Sequence, residues 1–171
     1  MEIVENILPE TIQTFIEDFC LDQNFLWTFL KDTAYSDKSD YPSFGHMAID
    51  GFHPVSSMAS IFEVPITMIN ETFKLDRKKL FRERFGLYMP LSNRPVHNNP
   101  HVDLDDKSHI VVLYYVNDSD GDTFFFDENM NIAKRITPKR GKAVMFDGSI
   151  FHASSMPSKK PRITLNLNYL K

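Results

Sequence analysis

The chain has 171 residues, of which 42% are hydrophobic and 25% are charged, and its formal net charge is -4. This composition is typical of a soluble globular domain and excludes a disordered chain or a fibrous repeat. The acidic balance gives no general electrostatic reason to bind nucleic acid or an anionic membrane. We therefore expect one domain, residues 1–171, without a nucleic-acid or membrane partner.

The cysteine count and the first residues bear on the cellular compartment. Cys20 is the single cysteine, so no intrachain disulfide can form and no oxidising compartment is needed. Glu2 and Glu5 stand where a secretory signal would carry basic residues. No apolar run reaches the length of a transmembrane helix. These features predict a cytoplasmic protein.

The first 76 residues carry mainly helical patterns and are predicted to support the rest of the domain. Apolar residues recur at helical spacing from Pro9 to Leu21, which predicts an amphipathic helix with Cys20 near its packed side. A second long helix is predicted from Ser56 to Lys74. Pro65 should bend or interrupt it, because proline lacks the backbone N–H.

Two other N-terminal stretches have weaker patterns. The aromatic cluster from Phe25 to Leu30 favours a short packing helix over a platform for ligand stacking. The segment from Thr33 to Pro54 is rich in Ser, Asp, Pro and Gly, which predicts a long loop with short extended pieces. Long loops in compact domains often cover binding sites, so substrate contacts are expected in this segment.

From residue 77 onward the hydrophobic period changes to two, which is the period of a β-strand. Turn-forming residues then separate several short strands, at 98–100, 117–121, 138–141, 147–148 and 157–161. This pattern predicts an antiparallel barrel or sandwich over residues 77–171. On its first strand, Arg82 and Arg84 share a face with Tyr88, and surface ion pairs are favoured for the two arginines over contact with an acidic substrate.

Three side chains in the strand-rich part can meet as metal ligands. His101 and Asp103 are two residues apart, so in an extended segment they project to the same face. A His-x-Asp pair alone is weak evidence, but His152 follows a turn and would return beside the pair in a folded barrel. Two imidazoles and one carboxylate that leave three octahedral positions open suit non-haem Fe(II).

A fourth residue predicts what binds beside the metal. Arg162 lies ten residues after His152 on a predicted strand, and Thr164 shares its face. A guanidinium grips a carboxylate through two parallel hydrogen bonds, which suits the far end of a small dicarboxylate whose near end chelates the metal. Tyr115, on the strand VVLYYVN, can add a hydroxyl group to the same carboxylate.

The order HVD, LYYVND, GDTFFF, AVMFDG, His152 and RIT resembles the core of the Fe(II)- and 2-oxoglutarate-dependent dioxygenases. The similarity is closest to the prolyl 4-hydroxylase-like branch, which includes short single-domain members carried by phages. It covers about the last half of the chain, from Leu80 to Leu170. A glycine pair that is usual after the second motif strand is here Gly121-Asp122.

The resemblance implies a fold, a site and an activity. The fold is a double-stranded β-helix, or jelly-roll barrel, flanked by N-terminal helices. His101, Asp103 and His152 would be the iron ligands, Arg162 would bind the C5 carboxylate of 2-oxoglutarate, and Tyr115 and Thr164 would assist. The expected activity is hydroxylation of a peptidyl residue, mainly proline, or of an amino acid, with release of succinate and CO2. Ascorbate is a further expected cofactor, and a phage-encoded member would work in the host cytoplasm.

Two other functions are alternatives to hydroxylation. Nucleic-acid demethylases of this superfamily carry Arg-x-Asn-x-Thr-x-Arg around the cosubstrate arginine, whereas this chain reads RITLNLN from Arg162. A catalytically inactive jelly-roll module that binds a metal or ligand is the main alternative, although such a module has no need of all four site residues. His46, His53, His97 and His109 have no partner at ligand spacing and are predicted to be structural or exposed.

Overall fold

The structure is a computed structural model that describes residues 1–32 and 41–171. The described residues form three α-helices and eleven β-strands, with a 3-10 turn between the last helix and β5. The helices are Glu10–Leu21 (α1), Met58–Ile61 (α2) and Glu63–Phe73 (α3). The strands are Glu2–Val4 (β1), Thr28–Leu30 (β2), Ser43–Asp50 (β3), His53–Pro54 (β4), Leu80–Tyr88 (β5), His109–Tyr115 (β6), Thr123–Phe126 (β7), Ile132–Ile136 (β8), Ala143–Asp147 (β9), His152–Ser154 (β10) and Arg162–Leu170 (β11).

Two antiparallel sheets form the barrel. The larger sheet has the strand order β1-β9-β6-β11-β5-β3-β2, and β4 pairs with β3 outside this path. The smaller sheet has the order β10-β7-β8. In the C-terminal half the chain passes repeatedly between the two sheets, as in a jelly roll, and the predicted fold class is confirmed.

The central strands of the large sheet separate two environments by their two-residue period. On β6, Val112 and Tyr114 pack into the core beneath the helices, while Val111, Leu113 and Tyr115 pack toward the small sheet. On β11, the apolar residues face the helices and the polar ones face the barrel interior. One face of the sheet is thus mainly apolar, and the other carries the polar side chains enclosed by the second sheet.

The helices cover the outer face of the large sheet. Ile16 and Cys20 of α1 are buried in the same core as Phe85 and Leu165 of the sheet, so the predicted amphipathic helix is confirmed. Within the described residues, no helix is both long and apolar enough to cross a bilayer. The N-terminal 76 residues also contribute β1 to β4 to the large sheet, so this part is not purely a helical support.

The second predicted helix is interrupted, as its proline suggested. Helix α2 ends at Ile61 and α3 begins at Glu63, with Phe62 between them. Pro65 is the third residue of α3, where the missing N–H would otherwise bond to the carbonyl of Ile61. The chain therefore starts a new helix in whose first turn proline is tolerated.

Two N-terminal predictions were wrong. The segment from Phe25 to Leu30 is not a helix, because residues 28–30 pair with β3 at the edge of the large sheet. In the predicted loop from Thr33 to Pro54, residues 43–50 form strand β3 and residues 53–54 form β4, while residues 33–40 lie outside the described part. Pairing of β3 with β5 stabilises an extended backbone that local turn propensity disfavours. Gly45 fits because a Cβ there would meet the Leu30 side chain at 2.8 Å.

A buried carboxyl group lies on the helix-facing side of the large sheet. Glu83 is on β5 between Ile49 of β3 and Leu167 of β11, and it is fully buried. Neither of its carboxyl oxygens has a hydrogen-bond partner among the described residues. Burial raises the pKa of Glu83 to about 8, and the nearby charge of Arg77 only partly opposes this. The folded state therefore prefers the protonated form.

We expect Glu83→Gln to change the pH dependence of stability. Because the pKa of Glu83 is raised on folding, the wild type loses stability as pH rises from the ordinary carboxyl range to about 8. The variant should match the wild type near pH 4 and exceed it above pH 8 by on the order of 3 kcal/mol. Urea denaturation at both pH values measures this difference. Glu71→Gln, at an exposed position of α3, serves as the control; an equal stability difference at both pH values for Glu83→Gln would contradict the assignment.

Candidate active site

A polar cavity lies inside the barrel, between the two sheets. Strands β5 and β11 of the large sheet form one wall, and β7 and β10 of the small sheet form the facing wall. Its lining residues are Arg84, Gly86, Tyr88, His101, Asp103, Leu113, Thr123, Phe146, His152, Ser154, Arg162, Thr164 and Asn166. The three predicted metal ligands, Arg162 and Thr164 therefore share one cavity.

Main-chain pairing brings the two histidines together. His101 donates its N–H to the carbonyl of His152 at 2.9 Å, and His152 donates in return at 3.0 Å. This isolated antiparallel bridge places both side chains on the same face, with ring centroids 4.8 Å apart. Asp103, two residues further on, completes a cluster whose ligand atoms all lie within 4.8 Å of one another.

Both imidazoles are oriented with the same nitrogen toward the cluster. Nδ1 of His101 lies 3.1 Å from the carbonyl of Asn99, and Nδ1 of His152 lies 3.1 Å from that of Ile150. A ring that donates from Nδ1 to a carbonyl keeps its Nε2 lone pair for a metal. Burial lowers the pKa of His152 to about 4, although the charge of Asp103 opposes this shift. The imidazole is therefore neutral, as a metal ligand must be.

The Asp103 side chain is held by three others. Arg82 Nη2 donates to its Oδ1 at 2.7 Å, and Asn168 Nδ2 donates to Oδ2 at 3.1 Å. Asn166 Nδ2 lies between the two oxygens, 3.3 Å from Oδ1 and 3.1 Å from Oδ2. Burial raises the pKa of Asp103, but the charge of Arg82 and the hydrogen bond from Asn166 outweigh this effect, so the net pKa lies well below its ordinary value. The group is an ionised carboxylate inside the barrel.

Arg162 lies on the same wall as these groups and is almost fully buried. Its Nη2 donates to Thr123 Oγ1 at 2.9 Å, and its guanidinium lies 4.8 Å from the ring centre of Tyr88. Its Nε has no hydrogen-bond partner among the described residues. A buried guanidinium with an unused donor, facing a polar cavity, suits an anionic ligand.

The predicted helper residues occupy two positions relative to Arg162. Thr164 lines the cavity directly. Tyr115 does not line the cavity. It is fully buried, and its hydroxyl donates to Thr123 Oγ1 at 2.8 Å. Burial raises the pKa of Tyr115 to about 12, so the hydroxyl stays protonated. Thr123 thus accepts hydrogen bonds from both Tyr115 and Arg162.

Tyr88 and His97 differ in their position relative to the cavity. Tyr88 lines the cavity with its ring against Arg162. His97 does not belong to the cavity lining; its ring packs 4.9 Å from that of Phe126 and its Nδ1 contacts the Asn98 carbonyl. The structural role expected for His97 agrees with these contacts.

Sequence reasoning missed several residues of the site. Arg82 was assigned to surface ion pairs, yet its partner is Asp103 and the side chain is only 13% exposed. The available signal was the alternation on β5, which placed it on the same face as Tyr88. Thr123, Asn166 and Asn168 were missed as well. Asn166 and Asn168 share the period-two face of Arg162, and that spacing would have identified them.

The residues present fit a divalent metal. Two imidazoles and an ionised carboxylate converge, and the imidazole Nε2 atoms are left free by their Nδ1 contacts. This mixed nitrogen and oxygen set is of the kind that binds Fe(II) with open positions for other ligands. The nearest approach in the cluster is 3.8 Å, between His152 Nε2 and Asp103 Oδ2.

Comparison with known families and structures gives an independent result. The family model for the 2OG-Fe(II) oxygenase superfamily matches residues 89–170, the segment that contains all three candidate ligands and Arg162. No curated protein sequence matches the chain significantly.

Solved structures match over nearly the whole chain. A Pseudomonas putida prolyl-4-hydroxylase is 17% identical, with a TM-score of 0.64 over 99% of this chain and 91% of that one. A Trichoplax adhaerens prolyl hydroxylase, in complex with a hypoxia inducible factor peptide fragment, is 13% identical, with a TM-score of 0.69 over 99% and 82%. The viral collagen prolyl hydroxylase of Paramecium bursaria Chlorella virus-1 is 16% identical, with a TM-score of 0.60 over 98% and 93%. The TM-scores show that these proteins share the fold of this chain.

We expect His152→Ala to weaken binding of a divalent metal. Co(II), an air-stable substitute for Fe(II), should bind the wild type at one site, and loss of one imidazole should raise its Kd by on the order of a hundredfold or more. Calorimetric titration of the metal-free proteins measures both values. His97→Ala is the matched control, because that ring lies outside the cavity lining. Equal Kd values for His152→Ala and the wild type would exclude His152 as a ligand.

Proposed function

We propose that this chain is a hydroxylase that couples decarboxylation of 2-oxoglutarate to oxidation of a C–H bond, and the match of residues 89–170 to the 2OG-Fe(II) oxygenase superfamily supports this proposal. The observation that carries this proposal is spatial. His101, Asp103 and His152 converge within 4.8 Å in the cavity that also contains the buried Arg162.

In the proposed site, each residue has a role that its geometry supports. His101, Asp103 and His152 hold Fe(II), and Arg162 binds the C5 carboxylate of 2-oxoglutarate with the help of Thr164. Tyr115 acts through Thr123: its hydroxyl bonds to the oxygen that also accepts from Arg162, which fixes the guanidinium in the cavity. When bound, the metal and cosubstrate together supply the oxidation chemistry. The protein supplies orientation and a polar cavity between the two sheets.

The proposed prime substrate is a prolyl residue in a peptide, with a free amino acid as the alternative. Similarity in fold to three prolyl hydroxylases, one of them in complex with a peptide fragment, supports the first choice. The polar cavity between two sheets suits either a side chain presented by a peptide or a small molecule. Ascorbate, which would keep the iron reduced, is proposed as an additional requirement for sustained turnover.

Substitutions near Arg162 test whether this end of the cavity binds 2-oxoglutarate. We expect Arg162→Met to raise the KM for 2-oxoglutarate by about a hundredfold, because charge-assisted hydrogen bonds in a buried site are lost. Thr123→Val should raise it by about tenfold, because the guanidinium loses one fixed partner. Succinate release at varied 2-oxoglutarate concentration gives both KM values, with Arg140→Met as a control at the partly exposed ion pairs of α1. An unchanged KM in Arg162→Met would refute the cosubstrate assignment.

Mass spectrometry can distinguish the candidate substrates. Proline-containing peptides and free amino acids are incubated separately with the protein, Fe(II), 2-oxoglutarate and ascorbate. Hydroxylation adds one oxygen atom, a gain of about 16 Da, and we expect it on a prolyl residue together with release of succinate. A gain on free amino acids alone would replace the peptidyl substrate with the alternative. Omission of ascorbate tests its role, since turnover should then decline with time.

A further inference from the structure

We propose that Arg82 is a positioning residue that makes Asp103 bind the metal through one oxygen, so that three coordination positions stay open. This inference rests on the proposed function, because it concerns the metal that the three ligands would hold. An octahedral metal with two imidazoles and one carboxylate oxygen has room for a chelating 2-oxo acid and for oxygen. A carboxylate that chelates through both oxygens would take one of those positions.

The first observation is a two-point contact between Arg82 and Asp103. Arg82 Nη2 donates to the side-chain Oδ1 at 2.7 Å, and Nη1 donates to the main-chain carbonyl of the same residue at 3.2 Å. The side chains are only 13% and 5% exposed. A planar guanidinium that contacts both the backbone and the carboxylate fixes the torsion angles of the aspartate, which one flexible donor cannot do.

The second observation is that the two carboxylate oxygens are not equivalent. Oδ1 receives the charged donor of Arg82, in addition to a long contact from Asn166 at 3.3 Å. Oδ2 receives only neutral amide donors and lies 3.8 Å from His152 Nε2, on the side of the cluster. Both oxygens accept two hydrogen bonds, but the charged donor is on Oδ1 and Oδ2 is the oxygen that approaches His152 Nε2, so Oδ2 is the one placed to face a metal.

The third observation concerns charge. A guanidinium next to the carboxylate repels a nearby divalent cation, so its removal takes away a repulsion as well as a constraint. Loss of Arg82 should therefore leave metal affinity equal or higher, with Asp103 free to chelate. The affinity for a ligand that occupies two coordination positions should fall at the same time. A purely structural role would instead weaken the binding of metal and ligand together.

The test compares two dianions in the Co(II)-loaded protein. 2-Oxoglutarate chelates through two positions, whereas succinate carries the same charge and lacks the 2-oxo group. Any loss of electrostatic attraction affects both ligands, but loss of one coordination position affects mainly the chelator. Calorimetry gives the Kd of Co(II) and of each dianion for the wild type, Arg82→Met and Arg82→Lys. Arg77→Met is the control, because Arg77 pairs with Glu63 outside the cavity.

We expect Arg82→Met to bind Co(II) at least as tightly as the wild type and to lose about tenfold more affinity for 2-oxoglutarate than for succinate. Arg82→Lys, which keeps the charge and loses the planar two-point contact, should show a smaller loss in the same direction. Arg77→Met should leave all three Kd values unchanged. Thermal melting of each variant checks that it is folded, and Arg82→Lys carries the test if Arg82→Met is not.

Three results would overturn the inference. An equal loss of affinity for both dianions would mean that Arg82 acts through its charge alone. A fall in Co(II) affinity together with a lower melting temperature would mean that Arg82 is structural. If the wild type binds no Co(II), the proposed function fails, and the positioning role fails with it.

Discussion

The site depends on one pair of main-chain hydrogen bonds, those between His101 and His152. They join a loop to strand β10 of the small sheet and fix the two imidazoles against each other. Asp103 follows from the same loop, so its position is determined once that pairing is made. Each ring is then oriented by a carbonyl two residues away, at Asn99 and at Ile150. Main-chain hydrogen bonds thus fix the positions of the two histidines, and nearby carbonyls determine which imidazole nitrogen faces the cluster.

Around that pairing, the barrel interior is divided into an apolar part and a polar part. Val111, Leu113 and Phe125 fill the space near β6 and β7, while β5 and β11 present arginines, asparagines and a threonine. The division arises because β5 and β11 carry mainly apolar side chains on the face toward the helices and polar side chains on the opposite face. The small sheet then closes over those polar residues, which are partly or fully buried, and the Nε atoms of Arg82 and Arg162 are left without a hydrogen-bond partner among the described residues. Phe146 packs against the His152 ring at the boundary between the two parts, with ring centroids 5.0 Å apart.

Charge inside the barrel is arranged in two separate units. Arg82 pairs with Asp103 at the metal end, and Arg162 lies near Thr123, Tyr88 and Tyr115 without a carboxylate partner among the described residues. The first unit is neutral in the absence of metal, and the second has one uncompensated positive charge. A dianionic ligand bound at Arg162 would offset that positive charge, which agrees with the match of residues 89–170 to the 2OG-Fe(II) oxygenase superfamily.

Local sequence signals predicted the strands of the C-terminal half, the barrel fold class and the three candidate ligands with Arg162, because alternation, turn residues and the spacing of His101 and Asp103 are visible without tertiary contacts. They did not predict β2 and β3, whose extended backbone is stabilised by the pairing of β3 with β5 and of β2 with β3 rather than by local propensity. Arg82 contacts Asp103, and Thr123 joins Tyr115 to Arg162. These contacts link distant segments of the chain, so they are seen only in the folded structure. Strand periodicity fixes the face on which a side chain lies, whereas its partner depends on how the two sheets are packed together.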